Sequence, residues 1–337
     1  MFLPYTHESI RLTGRWDTSN PACATATATG SYLEFCFDGD MAVARFDIDA
    51  NLSPLLHLWI QLDGGDMVEA SVDRYIRVRA SRAGRHICRI IYKGGTEVSG
   101  RWYQPLRGKV TFLGVQTDRP AAIPADTRPV IEFIGDSITE GVLIDTDYRE
   151  GTTHAFELDQ LNRCYQDDVC ATYAWLTAEA LNLRPVFMGY GAVGVTRAGC
   201  SRVPAAPAAF PYNFDGSPIT YAPGDFVVIN HGANDRGAPP ERYQQAYAEL
   251  LDLVRERNPK AVVVALSAFC GGQRQALEEL VERYNRERGA NVHFVNGSEW
   301  IPPEPLHPMR DGHRTVAKQL APILREIFGL PAVSADK

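Results

Sequence analysis

The hydrophobic period of this 337-residue chain changes once, across a proline-rich stretch near residue 120. Before it, apolar residues alternate. Leu33, Phe35 and Phe37 share one face of a strand, and Ala42, Ala44, Phe46 and Ile48 follow on the next. Leu56, Leu58, Ile60 and Leu62 repeat the pattern up to Asp63-Gly64-Gly65-Asp66, a hairpin-type turn, and residues 75–79, 85–93 and 109–117 read as further strands. A period of two, cut into short runs by glycine turns, predicts an antiparallel sandwich. Residues 118–129 then hold Pro120, Pro124 and Pro129 and no period, as a boundary does.

Beyond the boundary, apolar runs at 130–134, 185–190, 225–231, 261–268 and 292–296 alternate with helical stretches near 168–182, 241–257, 272–288 and 312–328. In the second of these helices Tyr243, Tyr247, Leu250, Leu251 and Val254 fall on one side. Such alternation predicts a parallel sheet with helices on both faces. Ligands of such sheets sit beyond the carboxyl ends of the strands. The expected organisation is therefore an all-β jelly-roll sandwich over 1–120, a linker over 121–128, a three-layer, flavodoxin-like α/β domain over 129–330 and a tail over 331–337. Irregular segments at 142–166 and 200–224 interrupt the second domain, and loops of that length are usually functional or disordered. Phe210, Tyr212, Phe214 and Tyr221 in the second segment either form a wall for a sugar or acyl group or pin the loop down; both readings stand.

Composition narrows the partners. A formal net charge of −7 argues against nucleic acid or an anionic membrane surface, and says nothing about a neutral substrate. No apolar run reaches the roughly 18 residues that span a bilayer. Met1–Trp16 has no basic stretch followed by an apolar one, so the expected location is cytoplasmic, with secretion open if a leader was removed. The seven cysteines are scattered without a Cys-x-x-Cys pair, which predicts reduced, buried thiols rather than a zinc site; a Cys164–Cys170 disulfide is the lesser alternative.

Four blocks arrive at successive strand ends. Val130-Ile-Glu-Phe-Ile-Gly135 runs into Asp136-Ser137; Gly191-Ala-Val-Gly194-Val-Thr196 ends the second strand; Gly232-Ala-Asn234-Asp235 ends the third; Glu304-Pro-Leu-His307-Pro308 and Asp311-Gly312-His313 precede the last helix. Taken singly, each has a plain reading: Asn234-Asp235 shapes a turn, the glycines permit one, and His307 is a surface residue. Together and in this order they resemble the SGNH hydrolase superfamily, the GDSL esterases, over about residues 128–330.

The resemblance implies Ser137 as nucleophile, His307 as base, and Ser137, Gly194 and Asn234 as the oxyanion hole. The chemistry agrees. A tetrahedral oxyanion needs donors fixed in advance, which the Ser137 and Gly194 N–H groups and the Asn234 amide can supply. Histidine titrates near neutrality, so it can take and return the serine proton. In this pattern His313 is structural, His231 is a packing residue, and Asp136 caps the turn. Where the superfamily carries aspartate three residues before the histidine, this chain has Glu304. Either its longer side chain completes a triad, or a backbone carbonyl orients His307.

Ahead of the catalytic blocks, Ile10-Arg-Leu-Thr-Gly-Arg15, the Phe-Asp-Gly turn at 37–39 and Tyr92-Lys-Gly-Gly-Thr-Glu97 resemble carbohydrate esterase family 2. That resemblance implies deacetylation of acetylated sugars through an acyl-enzyme, with a small-molecule or oligosaccharide ester as partner and no metal or organic cofactor. It leaves the oligomeric state open. The rivals are an acyltransferase to a small-molecule alcohol, a general aryl or short-chain esterase and, from another class, a non-catalytic carbohydrate-binding protein.

Overall fold

The structure, a computed structural model, describes residues 1–145 and 163–331. Most of the irregular segment at 142–166, and all but the first residue of the tail, lie outside the described residues. The chain forms two compact units. One comprises Met1–Thr127 with the described parts of 145–169 and Pro211–Tyr221; the other comprises Arg128–Ile144, Cys170–Phe210 and the described residues from Ala222 onward.

The first unit is an antiparallel sheet of eight strands: β1 (Phe2–Pro4), β2 (Ile10–Thr13), β3 (Ala24–Ala26), β4 (Tyr32–Phe46), β5 (His57–Leu62), β6 (Met67–Ser71), β7 (Tyr75–Gly94) and β8 (Val110–Gln116). Their order is β1-β8-β4-β7-β5-β6, with β2 on β4 and β3 on β8. The alternation predicts separate strands at 33–37 and 42–48, whereas the structure makes both part of the single strand β4. A register shift between Gly39 and Met41 accounts for the difference. The pairing passes from Gly39 opposite Gly84 to Met41 opposite Arg79, two residues on β4 against five on β7, and the inward face of β4 passes from Leu33, Phe35 and Phe37 to Ala42, Ala44 and Phe46, with Met41 exposed. The stretches at 75–79 and 85–93 likewise belong to the one strand β7.

Segment 211–221 is bonded to the sandwich unit through its backbone, while the Tyr212 side chain is exposed. The Tyr212 carbonyl accepts a hydrogen bond from Arg15 at 2.9 Å, the Asn213 carbonyl one from Thr27 at 3.1 Å, and the Asp215 N–H donates to the Trp102 carbonyl at 3.1 Å. Phe214 is buried within the sandwich unit.

The second unit carries β9 (Val130–Gly135), α1 (Ser137–Glu140), α2 (Tyr173–Ala180), β10 (Arg184–Gly189), β11 (Phe226–Asn230), α3 (Pro240–Arg257), β12 (Val262–Leu266), α4 (Arg274–Arg288), β13 (Val292–Val295) and α5 (Arg310–Ile327). The five strands are all parallel, in the order β10-β9-β11-β12-β13, which is the flavodoxin-like order. Neighbouring strands β9 and β11 flank the point where the winding reverses, so their carboxyl ends open a crevice there. α2 starts later than the sequence pattern suggests because Thr172 caps it, its hydroxyl accepting the Trp175 N–H at 3.1 Å. α3 buries Tyr243, Tyr247, Leu250, Leu251 and Val254, the predicted face. The two tyrosines bury their rings and still satisfy their hydroxyls, Tyr243 donating to the His231 carbonyl at 2.9 Å and Tyr247 to the Ile229 carbonyl at 3.3 Å. These bonds tie the helix to the carboxyl end of β11.

Candidate active site

β9 delivers Ser137 through a one-residue turn. Asp136 is the N-cap of α1, and its Oδ1 accepts the Ile138 N–H at 3.0 Å. Ser137 is thus the first helical residue, where backbone N–H groups have no acceptor within the helix. Its side chain faces His307, which comes from the loop between β13 and α5. His307 Nε2 lies 2.8 Å from Ser137 Oγ across 170 residues of sequence. An imidazole nitrogen at that distance can take the hydroxyl proton as the oxygen attacks an electrophile.

Asn234 follows β11, the strand beside β9. Its Nδ2 donates to Asp136 Oδ2 and to the Val193 carbonyl, both at 3.1 Å. The serine turn, the second block and the third block are therefore joined through one carboxamide. Asp136 is fully enclosed, and burial together with the nearby Asp235 carboxylate pushes its pKa up to about 7.

Asp235 was read from sequence as a turn residue, and the structure gives it a larger part. Its carboxylate accepts the Val195 N–H at 3.1 Å, the Thr196 N–H at 2.8 Å and the Thr196 hydroxyl at 2.6 Å. A buried carboxylate requires such donors, and here they fix the shape of the second block. Gly194 sits directly against it: a Cβ there would lie 2.5 Å from Asp235 Oδ1. Glycine is thus required by the carboxylate packed against the loop, which goes beyond the turn that the sequence pattern allows it. The Gly194 N–H donates to the Arg197 carbonyl at 3.1 Å.

The remaining candidates separate. His313 is buried in α5, its Nδ1 accepts the Tyr173 N–H at 3.0 Å, and its ring stacks on Tyr173. Burial holds it neutral, with a pKa lowered to about 3. His231 is enclosed under the third block, and burial lowers its pKa to about 4. Glu304 is exposed, and among the described residues no hydrogen bond or ion pair joins it to His307. The structure brings Ser137, His307, Asn234 and Gly194 to one end of the sheet and leaves the Glu304 carboxylate outside that set of contacts. None of the seven cysteines forms a disulfide, including Cys164 and Cys170.

Comparison with known proteins gives this geometry a context. The chain is 25% identical over 263 residues to an acetylxylan esterase / glucomannan deacetylase of Cellvibrio japonicus (strain Ueda107), covering 73% of this chain and 68% of that protein. Among solved structures it is similar to a family two carbohydrate esterase from Cellvibrio japonicus, with a TM-score of 0.79, 19% identity and 98% of each chain covered. It is also similar to a family two carbohydrate esterase from Clostridium thermocellum in complex with cellohexaose, with a TM-score of 0.76, 23% identity, and 95% of this chain and 99% of that one covered. At these identities the structural likeness establishes the fold. The relatives overturn the expectation of a cytoplasmic location, because acetylxylan and glucomannan are polysaccharides, and enzymes that act on such polymers work outside the cell. The sequence profile of the GDSL-like lipase/acylhydrolase family matches residues 133–315, which run from within β9 through Ser137, the second, third and fourth blocks and into the start of α5, and the chain belongs to that family.

Proposed function

We propose that this chain is a serine esterase that removes acetyl groups from acetylated carbohydrates, with Ser137 as nucleophile and His307 as general base. The observation that carries the reading is the 2.8 Å contact between His307 Nε2 and Ser137 Oγ at the topological switch point of the sheet. The substrate class rests on the carbohydrate esterases to which the chain is similar, over 73% of its length in one case and 98% in another.

Ser137 Oγ attacks the acetyl carbonyl while His307 takes its proton. The sugar hydroxyl then leaves with that proton, and a water activated by His307 hydrolyses the acetyl-serine. Negative charge on the carbonyl oxygen is met first by the Ser137 N–H at the start of α1. Asn234 and Gly194 complete the hole by exchange. Each donates to a neutral carbonyl, of Val193 or Arg197, and a hydrogen bond to an oxyanion is about twice as strong as a neutral one. Catalytic bonds of this kind often align only once the charge develops. The second Asn234 bond, to Asp136, keeps the carboxamide aimed while the first is exchanged. Glu304 takes no step in this scheme.

The test is acetate release from acetylated xylo-oligosaccharides, compared with 4-nitrophenyl acetate, with and without a competing alcohol. The expected result is hydrolysis of the sugar esters with a higher kcat/KM than the aryl ester, lost in Ser137→Ala. Acetyl transfer to the alcohol in preference to water would instead identify an acyltransferase, and no turnover of any ester would leave only a carbohydrate-binding role.

A further inference from the structure

A second serine–histidine pair lies in the sandwich unit, on the face of β5 and β6 opposite the core. His57 is buried and directly across from Ser71 in the ladder, and Glu69 pairs with Trp59 one step along. His57 Nδ1 lies 2.6 Å from Glu69 Oε1, and His57 Nε2 lies 3.2 Å from Ser71 Oγ. The order is carboxylate, Nδ1, Nε2, hydroxyl, in which a carboxylate fixes the imidazole and leaves Nε2 to accept the serine proton. We propose that Ser71 is a second reactive nucleophile in this chain, acylated by activated esters through the His57–Glu69 relay.

Three features of the surroundings support reactivity over mere packing. The imidazole is clamped: the Tyr165 ring meets it edge-on at 4.4 Å between centroids. Tyr165 is itself held there because Lys93 Nζ donates to the carbonyls of Cys164, Tyr165 and Asp167 at 2.8–3.0 Å, and Gly94 admits that segment, a Cβ at Gly94 falling 2.5 Å from the Asp167 carbonyl oxygen. The Glu69 carboxylate is charge-compensated, with Lys93 Nζ 3.0 Å from the oxygen that bonds His57. Ser71, in contrast, is exposed at the end of β6, the edge strand of the sheet. The Val72 N–H bonds the Leu56 carbonyl, so the alternating ladder turns the Ser71 N–H toward the free edge, where it can meet an oxyanion.

With 4-nitrophenyl acetate, Ser71 Oγ forms a bond to the acetyl carbon as its proton passes to His57 Nε2. The aryl C–O bond breaks, and 4-nitrophenolate departs with the electron pair. The products are acetyl-Ser71, imidazolium stabilised by Glu69, and phenolate. One backbone donor stands where the first site offers several, so only esters with good leaving groups react.

The experiment treats the full-length Ser137→Ala protein with 4-nitrophenyl acetate and, separately, with a fluorophosphonate, and maps adducts by peptide mass spectrometry. Exposed Ser81, a serine of the same unit, is the internal standard. A positioned general base accelerates such a step by about 10²–10⁴-fold, so labelling of Ser71 is expected at least about 10²-fold faster than of Ser81. His57→Gln is expected to bring Ser71 to the Ser81 rate, with thermal unfolding confirming that the variant folds. Equal labelling of Ser71 and Ser81 in the Ser137→Ala protein overturns the proposal without reference to any relay variant, as does undiminished labelling in folded His57→Gln.

Discussion

The two serine–histidine pairs of this chain are set in different backbone frames. At the end of the parallel sheet, Ser137 begins a helix, its imidazole partner is 2.8 Å away, and Asn234 stands beside it; Glu304 does not reach the histidine. On the antiparallel sheet, His57 has its carboxylate at 2.6 Å, but Ser71 ends an edge strand and has one backbone donor to offer. A parallel strand that runs into a helix presents its N–H groups and its nucleophile at the same point. A hairpin places side chains opposite each other with good register, yet spends its N–H groups on the ladder. The comparison separates what activates a serine from what stabilises the charge that follows. The second contribution is the larger in most acyl transfer, which is why the proposed turnover is assigned to Ser137.

The largest expected effect is therefore at Ser137 itself. Removing the nucleophile of a serine hydrolase costs up to about 10⁶-fold in kcat, and the fast stoichiometric release of 4-nitrophenolate expected of Ser71 in Ser137→Ala should be lost when Ser71→Ala is added. Next comes Asn234. Asn234→Ala removes one donor, which costs about 10²–10³-fold in kcat, or roughly 2.7–4 kcal/mol, with KM for 4-nitrophenyl acetate little changed. If kcat falls by less than tenfold, the carboxamide only braces Asp136 and Val193, and the two serine sites are more alike than their folds suggest.

Much of this was legible in the sequence because it depends on period and order. The change from a two-residue period to strand–helix alternation gives the two kinds of sheet, and four motifs name the residues that the candidate site is built from. What was not legible depends on direction in space. Glu304 sits in a loop that is neither helix nor strand, where a spacing of three residues fixes no orientation. Asp235 serves Val195 and Thr196, about 40 residues earlier, so the order of the blocks conceals that its carboxylate is what excludes a side chain at Gly194. The register shift between Gly39 and Met41 splits β4 into two apparent strands, because the inward-facing alternation changes phase there. The His57–Glu69–Ser71 relay was readable in principle. The turn at 63–66 fixes the hairpin register, and that register sets 57 across from 71 and 59 across from 69.

His86 in the sandwich unit and His231 and His313 in the α/β unit are shifted in opposite directions, which makes pH a finer probe. In the sandwich, Asp63 raises the pKa of His86, so that pair stabilises the fold fully below pH 6.5 and loses its effect as pH rises through the raised value. In the α/β unit, His231 and His313 are lowered from 6.5 to about 4 and about 3, so between those values and 6.5 the unfolded chain binds two protons that the fold does not. Asp136 works against them: raised from 3.8 to about 7, it is protonated in the fold and ionised in the unfolded chain over the same window. Two protons less one leaves one, so stability should fall as pH drops from 6.5 towards about 4, by roughly 1 kcal/mol per pH unit. His313→Gln removes one of the two histidine contributions, and its unfolding midpoint should be nearly flat between pH 6.5 and 4.5. A slope unchanged from the parent chain would mean that His313 is protonated in the fold.

Glu304→Gln is expected to do least, and it tests the comparison most directly. The same substitution can be made in both pairs. At Glu69 it removes the charge from a carboxylate 2.6 Å from an imidazole, so the imidazolium formed during attack loses its counter-charge and Ser71 labelling should slow by tenfold or more. At Glu304 the carboxylate is exposed and bonded to nothing that reaches His307, so kcat on 4-nitrophenyl acetate should fall by less than about threefold, roughly 0.7 kcal/mol. A loss of 10²-fold would require the 296–309 loop to bring Glu304 onto His307 during turnover. The two sites would then both place a carboxylate on the serine's histidine, and the frames that carry Ser137 and Ser71 would be the difference left to explain their rates.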